Sequence, residues 1–241
     1  MSNSRDLGSI VAHIPGRGGS KRCPAKNLRM LCGKPMMAYA IECAQASGLF
    51  DKVIVNTDSD DIAALATAWN AEVFRRDPAL GSDTATGDDF TADFMRRTGV
   101  DTVVMISPVC PLVSVDDIKQ AVEMYRASDC DTLITCEKTQ MQTFCEDKPV
   151  NIDDSQPLAP SQENPIVKVL NWAVTIWNSE TFLASYEKNK SGYLGTKRLL
   201  MPIDPVRATK VSYESDFEMV EQLMLSRSAT TQSATYWNKQ D

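Results

Sequence analysis

The sequence predicts an α/β fold built on a mainly parallel sheet. Short apolar runs alternate with stretches of helical period, giving β-α-β-α-β over about the first 75 residues. Each run is bounded by turn formers or helix caps. The chain has 241 residues, 43% hydrophobic and 24% charged, enough for a sizeable core without disulfides or a structural metal. No repeat or clear linker divides it, so one domain over 1–241 is expected.

Ile10 to Ile14 is an apolar run of the buried-strand type. Pro35, after Gly33-Lys34, predicts the first residue of a helix. Met37, Ile41 and Ala44 continue it at helical spacing and Gly48 stops it. Val53 to Asn56 predicts a second strand, closed by Thr57-Asp58-Ser59-Asp60. Strand ends in open parallel sheets bind ligands, but Asp58 reads more simply as part of a helix cap. Ile62, Leu65, Ala66 and Trp69 form the stripe of the next helix, and Ala71 to Phe74 a third strand.

The loop RRDPALGSDTATGDDF leads to a helix carrying Phe90, Phe94 and Met95. Thr102 to Ser107 is a nearly all-apolar strand. Ser114 and Asp117 resemble a capping box, with Ile118, Ala121, Val122 and Tyr125 pointing inward from its helix. Asp131 to Thr135 predicts another strand. From Cys136 to about Val167 periodicity fails and four prolines appear, long for a structureless loop in a compact domain. A lid or an arm reaching a second subunit is expected over 136–170. Val169 to Trp177 and Leu199 to Ile203 predict strands, Glu214 to Leu225 a helix, and 227–241 a loose tail.

A net charge of −7 argues against nucleic acid or an anionic membrane as the main partner. The seven cysteines form no C-x-x-C pair and their number is odd, which favours a reducing cytoplasm. The opening MSNSRDLGS is polar and the apolar run after it short, so no signal peptide is expected. No apolar stretch approaches the length that spans a bilayer. A single histidine leaves little material for a His-based zinc site or triad.

The chemistry concentrates after the first strand, in Pro15-Gly16-Arg17-Gly18-Gly19-Ser20-Lys21. Three glycines in four residues let backbone N–H groups approach a ligand, and Arg17, Lys21 and Lys26 add positive charge. Such a loop suits a polyphosphate. It lacks Walker spacing, and its glycines do not follow the dinucleotide fingerprint. A plain glycine-rich turn with solvated cations is the competing reading.

RGGSK-x-x-P-x-K-N after an apolar strand resembles the signature of the cytidylyltransferases that make CMP-sialic acids and CMP-activated pseudaminic and legionaminic acids. The likeness continues through GKPMMAYAIECA, FDKVIVNTDSDDIAALA and FRRDPALGSDTAT, about the first ninety residues. It implies a Rossmann-like sheet of the nucleotide-diphospho-sugar transferase (GT-A-like) type with a protruding dimerisation arm. It also implies CTP, an acidic nine-carbon sugar, a homodimer and Mg²⁺. By the same likeness Arg17 and Lys21 meet the triphosphate, with Gly18, Gly19 and Ser20 as backbone donors and Asn27 near the base or α-phosphate. Arg76 and Ser82-Asp83-Thr84-Ala85 match a segment that holds cytidine, although an N-cap for the next helix is an equally physical reading.

The departures fall at the acceptor and the metal. Where the sialic acid enzymes have a glutamine and then PTSPLR, this chain has Ser107-Pro108-Val109-Cys110-Pro111-Leu112-Val113. Asn171-Trp172-Ala173 stands at the family's Asn-Gly-Ala. The expected sugar-contacting set is therefore Ser107, Val109, Cys110, Asn171 and Trp172, with core packing the alternative for Trp172. The family's two magnesium-holding aspartates align with Lys210 and Ser212, while Asp216 reads as a helix-start residue and Asp204 is offset. The metal ligands are thus undetermined. Either the triphosphate and water hold the metal, or Lys210 supplies the charge, or the protein binds nucleotide without turning it over. A changed acidic acceptor is the other alternative.

Overall fold

A seven-stranded sheet organises the molecule, and its elements follow the apolar runs of the sequence. The structure is a computed structural model that describes residues 5–19, 22–82 and 84–227. Ser20, Lys21, Asp83 and the expected tail beyond Arg227 lie outside the described residues.

In chain order come β1 (Ile10–Pro15), β2 (Met30–Leu31), β3 (Lys34–Pro35), α1 (Met36–Ser47), β4 (Lys52–Thr57), α2 (Asp60–Ala68) and β5 (Glu72–Arg75). Then follow α3 (Gly87–Thr98), β6 (Thr102–Ile106), α4 (Val115–Arg126), β7 (Thr132–Thr139), β8 (Phe144–Cys145) and β9 (Lys148–Pro149). The chain continues as β10 (Val167–Asn178), α5 (Ser179–Asn189), β11 (Arg198–Pro202) and α6 (Glu214–Arg227). The main sheet runs β11-β7-β10-β6-β1-β4-β5, with β10 antiparallel to both neighbours and every other pairing parallel.

Strand alternation divides the core. Ala12, Ile14, Val55, Val104 and Ile106 face Met37, Ile41, Ile62 and Ile118 of α1, α2 and α4. Val11, Ile54, Val103 and Met105 face Phe94 of α3 and Phe182 of α5. Burial on both faces explains why the central strands read as continuous apolar runs.

Several expectations shift locally. Pro35 is the N-cap of α1 rather than its first residue, and Gly48 closes the helix in the left-handed conformation at φ 66°. Trp69 is the C-cap of α2. Thr86 and Asp89 form the capping box of α3, so Ser82 and Thr84 do not cap it. The Ser114–Asp117 box on α4 is present in both directions. Helix α5 was not anticipated: its Asn178 cap and inward Phe182 and Tyr186 are a short signal among polar residues. β7 is longer than expected because it continues past the sheet to pair with the start of β10, forming a ribbon that carries the 140–166 segment. No helix among the described residues is long and apolar enough to cross a membrane.

Candidate active site

From β1 the chain moves to β4 and β5 on one side and to β6 on the other, so the strand order reverses between β1 and β6. Loops leaving neighbouring strands diverge at such a point and open a crevice. Here the crevice is a cleft of about 440 Å³. Pro15, Gly16, Arg17, Gly19, Arg22, Lys26 and Asn27 line one side, and Ser107, Pro108, Val109 and Ser212 the other.

The glycine loop is shaped by close approaches. A Cβ on Gly16 would overlap the Met37 methyl and lie 3.2 Å from Asn27 Nδ2, so a side chain there would have to displace the Met37 side chain. The Gly16 amide donates to the Asn56 carbonyl at 3.0 Å, fixing the start of the loop to β4. Asn27 is 8% exposed and its Oδ1 has no hydrogen-bond partner. A buried acceptor without a donor is costly, and this one belongs to a side chain on the cleft wall.

The cleft wall is strongly basic. Arg17, Arg22 and Lys26 line it, whereas its described lining contains no carboxylate. Lys26 Nζ donates to the Val211 carbonyl at 3.0 Å, and Val211 N donates to the Val109 carbonyl at 2.8 Å. Burial chiefly, and then the Lys210 and Arg22 charges, hold the Lys26 ammonium below its ordinary pKa. An anion entering the cleft would relieve that repulsion. The 211–217 segment is anchored from the loop side, by Arg29 to Glu214 at 2.6 Å and by the Arg29 guanidinium 4.1 Å from the Phe217 ring centroid. Asp216 Oδ2 accepts from the Ser212 and Tyr213 amides, each at 2.8 Å, the helix-start role expected of it.

The anticipated residues divide. Arg17, Gly19, Asn27, Ser107 and Val109 meet in the cleft, while Gly18 lines a small adjoining recess with Arg17 and Asn27. Arg76 does not line the cleft: it is 6% exposed and turned inward, donating from Nε and Nη2 to Oδ1 and O of Asn56, both at 2.9 Å. Burial lowers its pKa to about 10. Ser82 and Thr84 pair with each other at 3.2 Å, and the Ser82 carbonyl reaches the loop, accepting from Arg17 at 3.5 Å. Cys110 is buried behind the cleft, and burial pushes its thiol up to about 11.

Asn171 and Trp172 sit in an irregular turn of β10 that reaches the cleft through one bond, Ser107 N to the Ala173 carbonyl at 2.9 Å. Asn171 Oδ1 accepts from Thr135 Oγ1 at 2.7 Å and its Nδ2 is buried without a partner. Trp172 adopts φ 59°, a left-handed conformation strained for a bulky residue, and packs on Tyr193 at 5.2 Å between centroids. The packing alternative for Trp172 is thereby present. Asp58 is not the cap of α2, a role taken by Ser59; it accepts from the Gly18 amide at 3.2 Å. Arg22 was missed, although its charge within the 17–26 loop was the available signal. Ser212 was considered only as a metal position, and the pairing of Val211 with Val109 that brings it to the cleft has no sequence signature.

A profile of the cytidylyltransferase family matches residues 11–227. The chain belongs to the cytidylyltransferase family. The chain is 29% identical over 231 residues to the CMP-N,N'-diacetyllegionaminic acid synthase of Legionella pneumophila, covering 89% of this chain and 96% of that protein. It is 30% identical over 230 residues to post-translational flagellin modification protein B of Campylobacter coli, covering 90% and 96%. It is also 27% identical over 227 residues to N-acylneuraminate cytidylyltransferase A of Danio rerio, covering 90% of this chain but 51% of that protein. The chain thus spans about half the length of that relative. Among solved structures it resembles CMP:2-keto-3-deoxy-manno-octonic acid synthetase complexed with CTP, with a TM-score of 0.69 at 16% identity, covering 91% of this chain and 99% of the other. A 4-diphosphocytidyl-2C-methyl-D-erythritol synthase from Anaerococcus prevotii gives 0.67 at 13%, covering 91% and 100%. At those identities the likeness shows the fold alone. That fold is the Rossmann-like nucleotidyltransferase architecture expected from the sequence.

Proposed function

We propose that the protein uses CTP to activate an acidic nine-carbon sugar of the sialic type, giving a CMP-sugar and pyrophosphate. The carrying observation is the cleft at the β1–β6 switch point, whose described lining holds a glycine loop, three cations and no carboxylate. The names of the Legionella and Danio relatives support the acceptor class. In this reading Arg17 and Lys26, with Lys21, neutralise the triphosphate, and the Gly18 and Gly19 backbone approaches it. The anomeric hydroxyl attacks the α-phosphorus, an O–P bond forms, and the bond to the β-phosphate bridge breaks. Catalysis of this kind is largely positioning and charge stabilisation. Ser107 and Val109 contact the sugar side, with Asn171 and Trp172 acting through the turn behind Ser107.

Magnesium was expected by resemblance, but the residues present do not fit a protein-held ion. Among the described residues no group of three or more His, Cys, Asp or Glu could hold a metal. The aligned positions carry Lys210 and the Ser212 hydroxyl, whereas a hard divalent cation wants carboxylate oxygens. A metal arriving with the triphosphate and water remains compatible with this wall, and no step here depends on one. All seven cysteines are unpaired, which supports a reducing, cytoplasmic setting. The exposed Met141, Phe144 and Leu158 on the 140–166 segment support its use as a homodimer arm.

The test is pyrophosphate release from CTP with a panel of nine-carbon and other acidic sugars, with and without Mg²⁺. Release with a nine-carbon acid is expected. Release only with another acid would replace the acceptor, and CTP binding with no release would leave a nucleotide-binding protein.

A further inference from the structure

Asp58 lies in the turn between β4 and α2, where a carboxylate would ordinarily cap the helix. Ser59 does that instead, its Oγ accepting from Ile62 N at 3.4 Å. The Asp58 carboxylate turns to the glycine loop and accepts from the Gly18 amide at 3.2 Å. Its surroundings are built for close approach. A Cβ on Gly81 would overlap the Asp58 carboxylate, and one on Gly18 would lie 3.1 Å from Ser59 Cβ. The loop, the β4–α2 turn and the turn at Pro78–Gly81 therefore converge on one side chain.

Asp58 also serves the interior. Arg76 is buried on Asn56, and Asp58 exerts the leading favourable charge on its guanidinium. A carboxylate beside an anion loop opposes the ligand's charge. Its contribution must therefore lie in the shape of the loop and in balancing Arg76.

We propose that Asp58 is a positioning residue that latches Gly18 to the end of β4 and sets the loop for the triphosphate. The proposal rests on the reading of the cleft as a CTP site. It is tested in the full chain by amide exchange at Gly18 and by calorimetric CTP affinity, for Asp58→Ala, Asp58→Asn, Gly81→Ala and the double variant Asp58→Ala/Gly81→Ala. Asp58→Ala is expected to speed Gly18 exchange and weaken CTP about tenfold, the scale of one charge-assisted hydrogen bond. Asp58→Asn keeps the acceptor oxygen and restores both readouts to within about threefold. Gly81→Ala, which displaces the carboxylate, reproduces Asp58→Ala, and the double variant is no weaker because both changes remove the same contact.

Unchanged Gly18 exchange and CTP affinity in Asp58→Ala would overturn the proposal. So would an Asp58→Asn variant no better than alanine. If Asp58→Ala does not fold, Asp58→Asn and Gly81→Ala decide the matter. If the unmodified chain binds no CTP, the CTP reading fails while Gly18 exchange still tests the latch.

Discussion

Single side chains behind the cleft carry consequences that reach the whole protein. His13 is fully buried on β1, stacked on Phe94 at 4.2 Å and bonded through Nε2 to Asn56 Nδ2 at 3.0 Å. Burial first, and the Arg76 charge second, lower its pKa from 6.5 to about 3. The neutral ring is the native form, so the folded pKa lies below the unfolded one. The stabilisation is complete above pH 6.5 and is lost as pH falls toward 3. Each pH unit within that window costs up to about 1.4 kcal/mol. Denaturant midpoints between pH 7 and 5 should fall in the wild type and flatten in His13→Gln, whatever that variant's absolute stability; equal slopes would contradict this. Carboxylates add their own losses only lower in the range.

At the scale of elements, helix ends set the geometry. The N-terminus of α4 is fixed by Ser114 Oγ accepting from Asp117 N at 3.2 Å, while Asp117 returns bonds to Ser114 N and Oγ. Arg207, after β11, then grips the same carboxylate with bonds of 2.8 and 3.0 Å. A capping residue is thus also the point where the returning chain is held before it crosses to Val109. Ser114→Ala removes the acceptor for one amide and should cost about 1 kcal/mol, lowering Tm by about 2–4 °C for a chain of this size. A calorimetric scan showing no change would mean that Arg207 alone orders Asp117.

On the scale of the whole molecule, the 140–166 segment stands out for its exposed apolar residues. Met141, Phe144 and Leu158 are 74, 53 and 62% exposed. The segment is internally ordered by Asn151, whose Nδ2 donates to the Met141 and Pro165 carbonyls at 3.0 and 3.1 Å. The proposed arm role would bury these exposed apolar side chains against a second copy of the chain. If the segment serves as the proposed homodimer arm, Phe144→Asp should leave Tm nearly unchanged yet shift sedimentation from dimer to monomer. A wild type that sediments as a monomer at micromolar concentration would remove the arm's proposed role.

The sequence by itself determined the sheet's strands, most helices and the position of the glycine loop, because these depend on local period, caps and glycine spacing. Ile10–Ile14 and Thr102–Ser107 read as central strands because strands buried on both faces must be apolar throughout. It brought Arg17, Gly19 and Asn27 to one cleft for the same reason, since they share one short loop. Only tertiary structure decided which distant groups join them. Ser212 enters the cleft through the contacts of 211–217 with Val109 and Arg29, and Arg76 is drawn inward by Asn56. Asp58 changes from cap to latch because the loop from β1 lands beside it, a meeting of parallel strands that no local pattern encodes. Local rules choose the elements; long-range packing chooses which side chains share a site.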